Sequence, residues 1–88
     1  RTIFMKWFLY VLQCSDGTYY TGVTTDVGRR LNEHNVSSRG AKYTKSRRPV
    51  ELICWTTFDD RSTAQKAEYK FKSLTRKQKE LIIKKEVF

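Results

Sequence analysis

The sequence has little proline, glycine or cysteine, and it contains no long hydrophobic run. One proline and four glycines in 88 residues exclude a collagen-like or low-complexity chain. The two cysteines, Cys14 and Cys54, are too few for a disulfide framework, and neither has a second cysteine or a histidine at metal-ligand spacing. We therefore expect both thiols to be reduced and buried.

Signals for membrane insertion and secretion are absent as well. No apolar segment approaches the roughly 18 residues of a membrane-spanning helix, and no charged segment followed by an apolar one and a cleavage site opens the chain. These absences predict a protein of the cytoplasm, nucleus or nucleoid that is not secreted and enters no membrane. Arg1 in place of Met indicates a start within a gene or after processing. The length suits one domain, 1–88, as a monomer or weak dimer.

Acidic residues are few, and the positive charge is unevenly distributed. Eighteen Lys and Arg against nine Asp and Glu give a net charge of +9. The net charge is zero over residues 1–28, +6 over 29–48, −2 over 49–64 and +5 over 65–88. Two basic segments in so short a chain favour a shared anion-binding surface over two solvated faces. Five Phe, five Tyr and two Trp argue against a disordered basic tail.

The first third of the chain has the pattern of a β-hairpin followed by a helix. Apolar and aromatic runs over residues 7–14 and 18–23 predict two strands joined by an S-D-G turn. Asp26 is a natural N-cap for a helix that continues to about Asn35. Arg30 and His34 are one turn apart on this helix and are expected to project from the same side.

The turn of the hairpin determines where its tyrosines point. A two-residue turn at Asp16-Gly17 would place Tyr10 and Tyr20 on opposite faces of the sheet. A three-residue turn with Gly17 in a left-handed conformation would pair Tyr10 with Gly22 and place both tyrosines on one face. Both registers are open, and glycine in the third position favours the second.

The rest of the chain predicts one strand and two helices. Residues 36–48 follow neither the helical nor the strand period and are expected to form a long loop. Pro49 then opens a strand over 50–58. The remaining predictions are a helix over 62–74 capped by Asp59 or Asp60, a capping box at Thr75, and a last helix that buries Leu81 and Ile82. The order ββαβαα predicts an α+β sandwich, with a three-stranded antiparallel sheet flanked by helices.

General catalytic motifs are missing, but one group of polar residues stands out. The chain has no Gly-rich phosphate loop, HExxH, GxSxG or CxxC pattern. Residues able to do chemistry remain near the hairpin, on the first helix and on the helix after the third strand: Tyr10, Tyr20, Arg30, His34 and Glu68.

Several segments that contain these residues resemble the GIY-YIG nuclease superfamily. They are F-L-Y and Y-T-G in the two strands, T-T-D-V-x-R-R-L-x-x-H-N, G-A-K-Y-T-x-x-R-R-P-V-E-L, A-E-Y-x-F-K and L-T-R-K-Q-K-E-L. The likeness covers almost the whole chain and is greatest to small single-domain members, the YhbQ- and YazA-like uncharacterised proteins. The sequence departs from the family pattern in three ways: Phe8 replaces the leading Gly, Thr21 stands inside the second triplet, and no Asn follows Asn35.

The resemblance implies a role for each member of the polar group. Glu68 is expected to bind one divalent metal ion, Mg²⁺ or Mn²⁺, which one carboxylate, waters and a phosphate oxygen can hold. Tyr10 or Tyr20 would orient or deprotonate the attacking water, once nearby cations have lowered a phenol pKa of about 10. Arg30 would neutralise charge that develops on the phosphate, and His34 would hydrogen-bond Tyr10 or relay its proton.

Two further roles follow from the same resemblance. Gly22, opposite Tyr10, is expected to be a structural glycine that gives the substrate room to approach. The loop 36–48 interleaves cations with an aromatic side chain, the combination that contacts a phosphate backbone and an unstacked base. The residues of this loop expected to bind nucleic acid are Lys42, Tyr43, Lys45, Arg47 and Arg48.

Each residue also has a purely structural interpretation. A strand tyrosine often packs at the edge of a core with its hydroxyl in water. Arg30 has Asp26, and Glu68 has Lys72, at the spacing of a helical ion pair. His34 lies near a helix C-terminus, a common position for a surface histidine.

The expected function is a metal-dependent endonuclease that hydrolyses nucleic acid with low sequence specificity; DNA is the expected substrate, and the sequence does not distinguish it from RNA. Branched or single-stranded substrates, and roles in DNA repair or recombination, fit this expectation. The alternatives are an inactive nucleic-acid-binding module with the same fold, and an interaction domain whose basic surface binds an acidic protein.

Overall fold

The computed structural model describes residues 5–85; the ends of the predicted domain, 1–4 and 86–88, lie outside the described residues. The elements follow the predicted order with one addition. They are β1 (Trp7–Gln13), β2 (Tyr19–Thr24), α1 (Val27–Val36), α2 (Lys42–Lys45), β3 (Glu51–Phe58), α3 (Arg61–Lys72) and α4 (Arg76–Lys85). The sheet is antiparallel throughout, in the order β2-β1-β3. The predicted α+β class and sheet are confirmed.

The β1–β2 turn adopts the three-residue form. Gly17 has a φ of 84°, and its N–H donates to the Cys14 carbonyl at 2.9 Å, while the Cys14 N–H donates to the Thr18 carbonyl at 2.8 Å. Tyr10 is paired with Gly22 in the resulting register. The second of the two open registers is therefore confirmed, and it fixes which side chains share a face.

The sheet is covered on both faces. On one face, α3 and α4 pack on a cluster of buried residues: Leu9, Val11, Cys54 and Phe71. On the other face, Val27 and Leu31 of α1 pack on a second cluster: Tyr10, Leu12, Cys14 and Val50. Both thiols are buried and neither forms a disulfide, as expected.

Side-chain caps set the predicted helix boundaries. The Asp26 carboxylate accepts the Arg29 N–H at 3.0 Å at the start of α1, and Asp60 accepts the Thr63 N–H at 2.8 Å at the start of α3. The capping box at Thr75 is also present, with reciprocal bonds to Gln78 of 2.9 and 3.2 Å.

Two structural predictions were wrong. The loop 36–48 contains a four-residue helix, α2, with the Thr44 side chain fully buried beneath it. Leu81 is not buried but 56% exposed. The side of α4 that faces the core carries Ile82 and Ile83, and Leu81 lies on the neighbouring side because successive helical residues are rotated by about 100°.

No helix within residues 5–85 is both long and apolar enough to cross a membrane.

Candidate active site

A chain of buried hydrogen bonds links β1, α1 and α2. The Tyr10 hydroxyl lies 2.8 Å from His34 Nε2, and His34 Nδ1 lies 2.8 Å from Thr44 Oγ1. Tyr10 is 2% exposed and both other side chains are 0% exposed. The three elements β1, α1 and α2 are therefore held together by hydrogen bonds between their polar side chains.

The hydrogen-bond partners determine which nitrogen of His34 carries the proton. The Thr44 hydroxyl lies 2.9 Å from the Ala41 carbonyl, which can only accept. Once Thr44 donates there, its oxygen accepts from His34 Nδ1–H, and Nε2 is left to accept from the Tyr10 hydroxyl. The Ala41 N–H makes a longer contact of 3.4 Å to Nδ1, so the assignment of the Nδ1 proton follows the shorter 2.8 Å contact to Thr44. His34 is thus positioned to accept a proton from Tyr10.

Burial shifts the pKa values of His34 and Tyr10 in opposite directions. Burial, reinforced by the Arg30 charge, lowers the pKa of His34 to about 4. Burial raises the pKa of Tyr10 to about 12, although the Arg30 guanidinium interacts with the hydroxyl and works to lower it. The expectation that Arg30 brings a tyrosine pKa down is right in sign, but burial outweighs the effect. At neutral pH the proton stays on Tyr10 and His34 is uncharged.

Gly22 allows the Tyr10 ring to occupy this position. A Cβ at residue 22 would overlap the Tyr10 hydroxyl and lie 2.7 Å from its Cζ atom. The ring therefore leans across β2, over the glycine, toward His34. The space over Gly22 that was expected to admit substrate is occupied by the Tyr10 ring in this structure.

Arg30 is held beside Tyr10 by a partner that the sequence analysis did not assign. Its Nη1 donates to the Glu33 carboxylate at 2.9 Å and to the Arg39 carbonyl at 2.9 Å. The Asp26 carboxylate instead lies 3.9 Å from Arg29, measured from Oδ2 to Nε. The ion pair between Arg30 and Asp26 that the sequence suggested is therefore not formed. The i,i+3 spacing of Arg30 and Glu33 was the available signal for this contact.

Glu68 reaches the site electrostatically from α3. Its carboxylate is one of the charges that raise the pKa of Tyr10, so it lies within range of that hydroxyl. One of its oxygens pairs with Lys72 Nζ at 3.0 Å, as the structural interpretation predicted, yet its side chain is only 21% exposed.

Glu68 offers a single carboxylate to a hard cation. Within the part of the chain that the structure describes, no three His, Cys, Asp or Glu side chains converge on a metal-sized site. A cage made entirely of protein ligands is thus not formed there, whereas Mg²⁺ commonly binds one carboxylate and keeps several waters. An ion held by one carboxylate and several waters is therefore compatible with Glu68.

Tyr20 connects the buried chain to the surface. Its ring centroid lies 5.0 Å from that of His34 and 6.5 Å from that of Tyr10. On its other side it stacks with Tyr43 of α2 at 5.9 Å, and the Arg47 guanidinium covers the Tyr43 ring at 3.9 Å. The aromatic side chains thus extend from the buried hydroxyl of Tyr10 to the half-buried guanidinium of Arg47.

The cations of the 36–48 loop are of two kinds: arginines bonded to other parts of the protein, and exposed lysines. Arg48 donates to the carbonyls of His34 and Ser37, each at 2.6 Å, and so binds the end of α1. Arg47 pairs with Asp16 at 3.0 Å and donates to the Tyr43 carbonyl. Both guanidiniums therefore hold the loop in place, in addition to any contact with a ligand.

Lys42 and Lys45 belong to the second kind, because both are exposed on α2. Thr44, between them, was missed by the sequence analysis. A threonine in a segment without periodicity gives no signal that it will be buried against a histidine.

The buried neutral His34 predicts a dependence of stability on pH. Its folded pKa of about 4 lies below its ordinary 6.5, so the unfolded chain binds a proton first as the pH falls. The free energy of unfolding should drop by about 2 kcal/mol between pH 7 and pH 5. Urea titrations at the two pH values should show this loss for the native chain and little of it for His34→Gln. An equal loss in the variant would contradict the burial of a neutral imidazole.

Comparison with known protein families assigns the chain to one of them. Residues 6–81 match the family described as the GIY-YIG catalytic domain. The chain belongs to the GIY-YIG family, whose domain defines a nuclease superfamily.

The names of the relatives state no function. The UPF0213 protein DP2720 of Desulfotalea psychrophila is 53% identical over 78 residues, which cover 89% of this chain and 71% of the relative. The UPF0213 protein YazA of Bacillus subtilis is 53% identical over 76 residues, covering 86% and 76%. The solution NMR structure of the protein EF2693 from E. faecalis superposes with a TM-score of 0.64 at 54% identity, covering 91% of this chain and 84% of that one.

Proposed function

We propose that this protein is a divalent-metal-dependent endonuclease that hydrolyses phosphodiester bonds in nucleic acid, DNA rather than RNA, with low sequence specificity. The observation that carries the proposal is the hydrogen-bonded chain Tyr10–His34–Thr44, with the charges of Arg30 and Glu68 acting on its tyrosine. A structural role alone does not require a buried phenol, a neutral imidazole and two opposite charges at one point. Membership of a nuclease superfamily supports the same conclusion.

Tyr10 is proposed as the general base, acting through His34. As the water oxygen forms its bond to phosphorus, its proton passes to Tyr10 Oη and the Tyr10 proton passes to His34 Nε2, 2.8 Å away. The bond from phosphorus to the leaving oxygen breaks, and that oxygen takes a proton from solvent. Because the pKa of His34 is about 4, the imidazolium formed gives up its proton readily and the site is reset.

Arg30 and Glu68 supply the charges that the reaction needs. The Glu33 carboxylate and the Arg39 carbonyl fix Nη1 of Arg30, and its other N–H groups are available for Tyr10 and for a phosphate oxygen. This guanidinium would stabilise the negative charge that grows on the phosphate in the transition state. Glu68 would hold the Mg²⁺ or Mn²⁺ ion, which supplies Lewis-acid polarisation of the phosphodiester when bound.

One cleavage assay tests the proposal. The purified chain is incubated with labelled single-stranded, duplex and branched DNA in Mg²⁺, in Mn²⁺ or in EDTA, beside Glu68→Ala. Cleavage that requires the metal and disappears in the variant is the expected result. Salt-sensitive binding without cleavage under any condition would overturn it in favour of an inactive binding module, and no binding at all would favour an acidic protein partner.

The exposed lysines of α2 provide a test of the binding surface. Replacing Lys42 and Lys45 with Gln should weaken DNA binding and reduce the slope of log affinity against log salt by about 1.4–1.8, since each phosphate contact contributes about 0.7–0.9. Arg47 and Arg48 are left unchanged because they hold the loop. Lys6→Gln, at an exposed lysine paired with Asp59, is the control. An unchanged slope in the double variant would show that these lysines are only solvated surface.

A further inference from the structure

Trp55 has an unusual position for a large aromatic residue. It is 54% exposed on β3, an edge strand of the sheet, and it pairs directly with Tyr10 on the neighbouring strand. Directly paired residues of an antiparallel sheet point to the same face, with their Cβ atoms about 5 Å apart. The exposed indole therefore lies on the same face as the candidate active site and next to its tyrosine.

The surroundings of Trp55 hold the ring while leaving it accessible. The Phe8 ring contacts it edge to face, with centroids 5.8 Å apart and planes at 70°. Tyr10 does not cover it, because the Tyr10 ring leans the other way, over Gly22 of β2. Helix α1 packs on the cluster that contains Leu12 and Val50, nearer the hairpin turn. Among residues 5–85, the face of the sheet is consequently open over β3 at Trp55, whose side chain is 54% exposed.

The charged residues at this end of the sheet are engaged with each other or with backbone. Lys6 and Asp59, which flank the same end of the sheet, pair with each other at 2.6 Å. Asp60 is occupied as the N-cap of α3. Among the described residues no cation stacks on the Trp55 ring, so this supported indole suits the flat face of a nucleobase better than a phosphate group, because every base presents a π-face for stacking.

We propose that Trp55, supported by Phe8, is a stacking subsite for an unpaired nucleobase of the substrate strand. The inference rests on the proposed nuclease function and extends it to the conformation of the substrate. In a duplex both faces of a base are covered by its neighbours, so a base that stacks on Trp55 must have left the stack. Trp55 lies on the same face of the sheet as Tyr10, so that base would belong to the strand that occupies the candidate active site.

Binding measurements in EDTA test the subsite without cleavage. Trp55→Ala should weaken binding of a single-stranded oligonucleotide by about 5- to 150-fold, the range for losing one stacked base. The salt slope should stay unchanged because no cation is removed. Trp55→Phe should retain most of the affinity, and Tyr69→Ala, which removes a 79% exposed aromatic ring from α3, should match the native chain.

A series of abasic oligonucleotides locates the stacked base. An abasic nucleotide moved along the strand should weaken binding of the native chain at one position, and this penalty should vanish in Trp55→Ala. In a Trp7→Phe background Trp55 is the single tryptophan, so quenching of its fluorescence by the oligonucleotide reports stacking directly. This readout also covers the case in which Trp55→Ala folds poorly.

The outcomes separate the subsite from the function on which it rests. Native-like binding by Trp55→Ala, an abasic penalty that persists in it, or unquenched fluorescence in a complex that forms would each overturn the subsite and leave the nuclease proposal intact. Failure of the native chain to bind any nucleic acid would overturn both.

Discussion

Replacing Glu68 with glutamine should abolish metal-dependent cleavage, with a loss of at least about 10³-fold, while nucleic-acid binding in EDTA stays within a few-fold. The change keeps the shape of the side chain and removes the charge that would hold the cation. Its ion pair with Lys72 is solvent-accessible on the lysine side and contributes little to stability, so the fold should be unaffected. The measurement is cleavage rate as a function of Mg²⁺ or Mn²⁺ concentration.

The chain offers a closely matched control for this variant. Glu80 pairs with Arg76 at i,i+4 and 3.0 Å, the same arrangement as Glu68 with Lys72, but it lies on α4. Glu80→Gln should therefore cleave like the native chain. Full activity in Glu68→Gln, or equal losses in the two variants, would contradict the assignment of Glu68 as the metal ligand.

Removing the hydroxyl of Tyr10 should lower the cleavage rate by 10²- to 10⁴-fold, the usual contribution of a positioned general base. Tyr10→Phe keeps the ring that packs over Gly22, so binding of nucleic acid should change little. His34 Nε2 loses its buried partner, and the free energy of unfolding should fall by about 1–3 kcal/mol. Single-turnover rates and urea titrations measure the two effects separately.

Tyr19→Phe is the matching control for Tyr10→Phe. Tyr19 belongs to the same hairpin but lies on the opposite face of the sheet, where it packs against the α3-side cluster and the Arg76 guanidinium covers its ring. It should cleave normally. A Tyr10→Phe variant that loses stability but retains its rate would show that the hydroxyl is structural and that another group activates water.

The parts of the fold that were predictable from the sequence are those set by local rules. Gly17 in the third turn position determined the hairpin register, and Asp26 and Asp60 marked two helix starts through short-range hydrogen bonds. The convergence of Tyr10 and Tyr20 followed from the register, because alternation along a strand decides which face a side chain occupies.

The parts that could not be predicted depend on contacts between distant segments. Thr44 meets His34 only because Arg48 binds the last carbonyls of α1 and brings the loop back onto that helix. Nothing in the spacing of these residues indicates the contact. The exposure of Leu81 likewise depends on how α4 is rotated on the core, which one apolar residue in a short helix does not determine.

The close approach of Tyr10 to Gly22 also bears on how the hairpin avoids misfolding. A shift of one residue would place Thr21 or Val23 opposite Tyr10, and either Cβ would occupy the position of its ring. The ring would then have to leave His34, and its buried hydrogen bond would be lost. The glycine thus makes only one strand pairing compatible with the buried tyrosine, so the contact that assembles the site also selects against the neighbouring registers during folding.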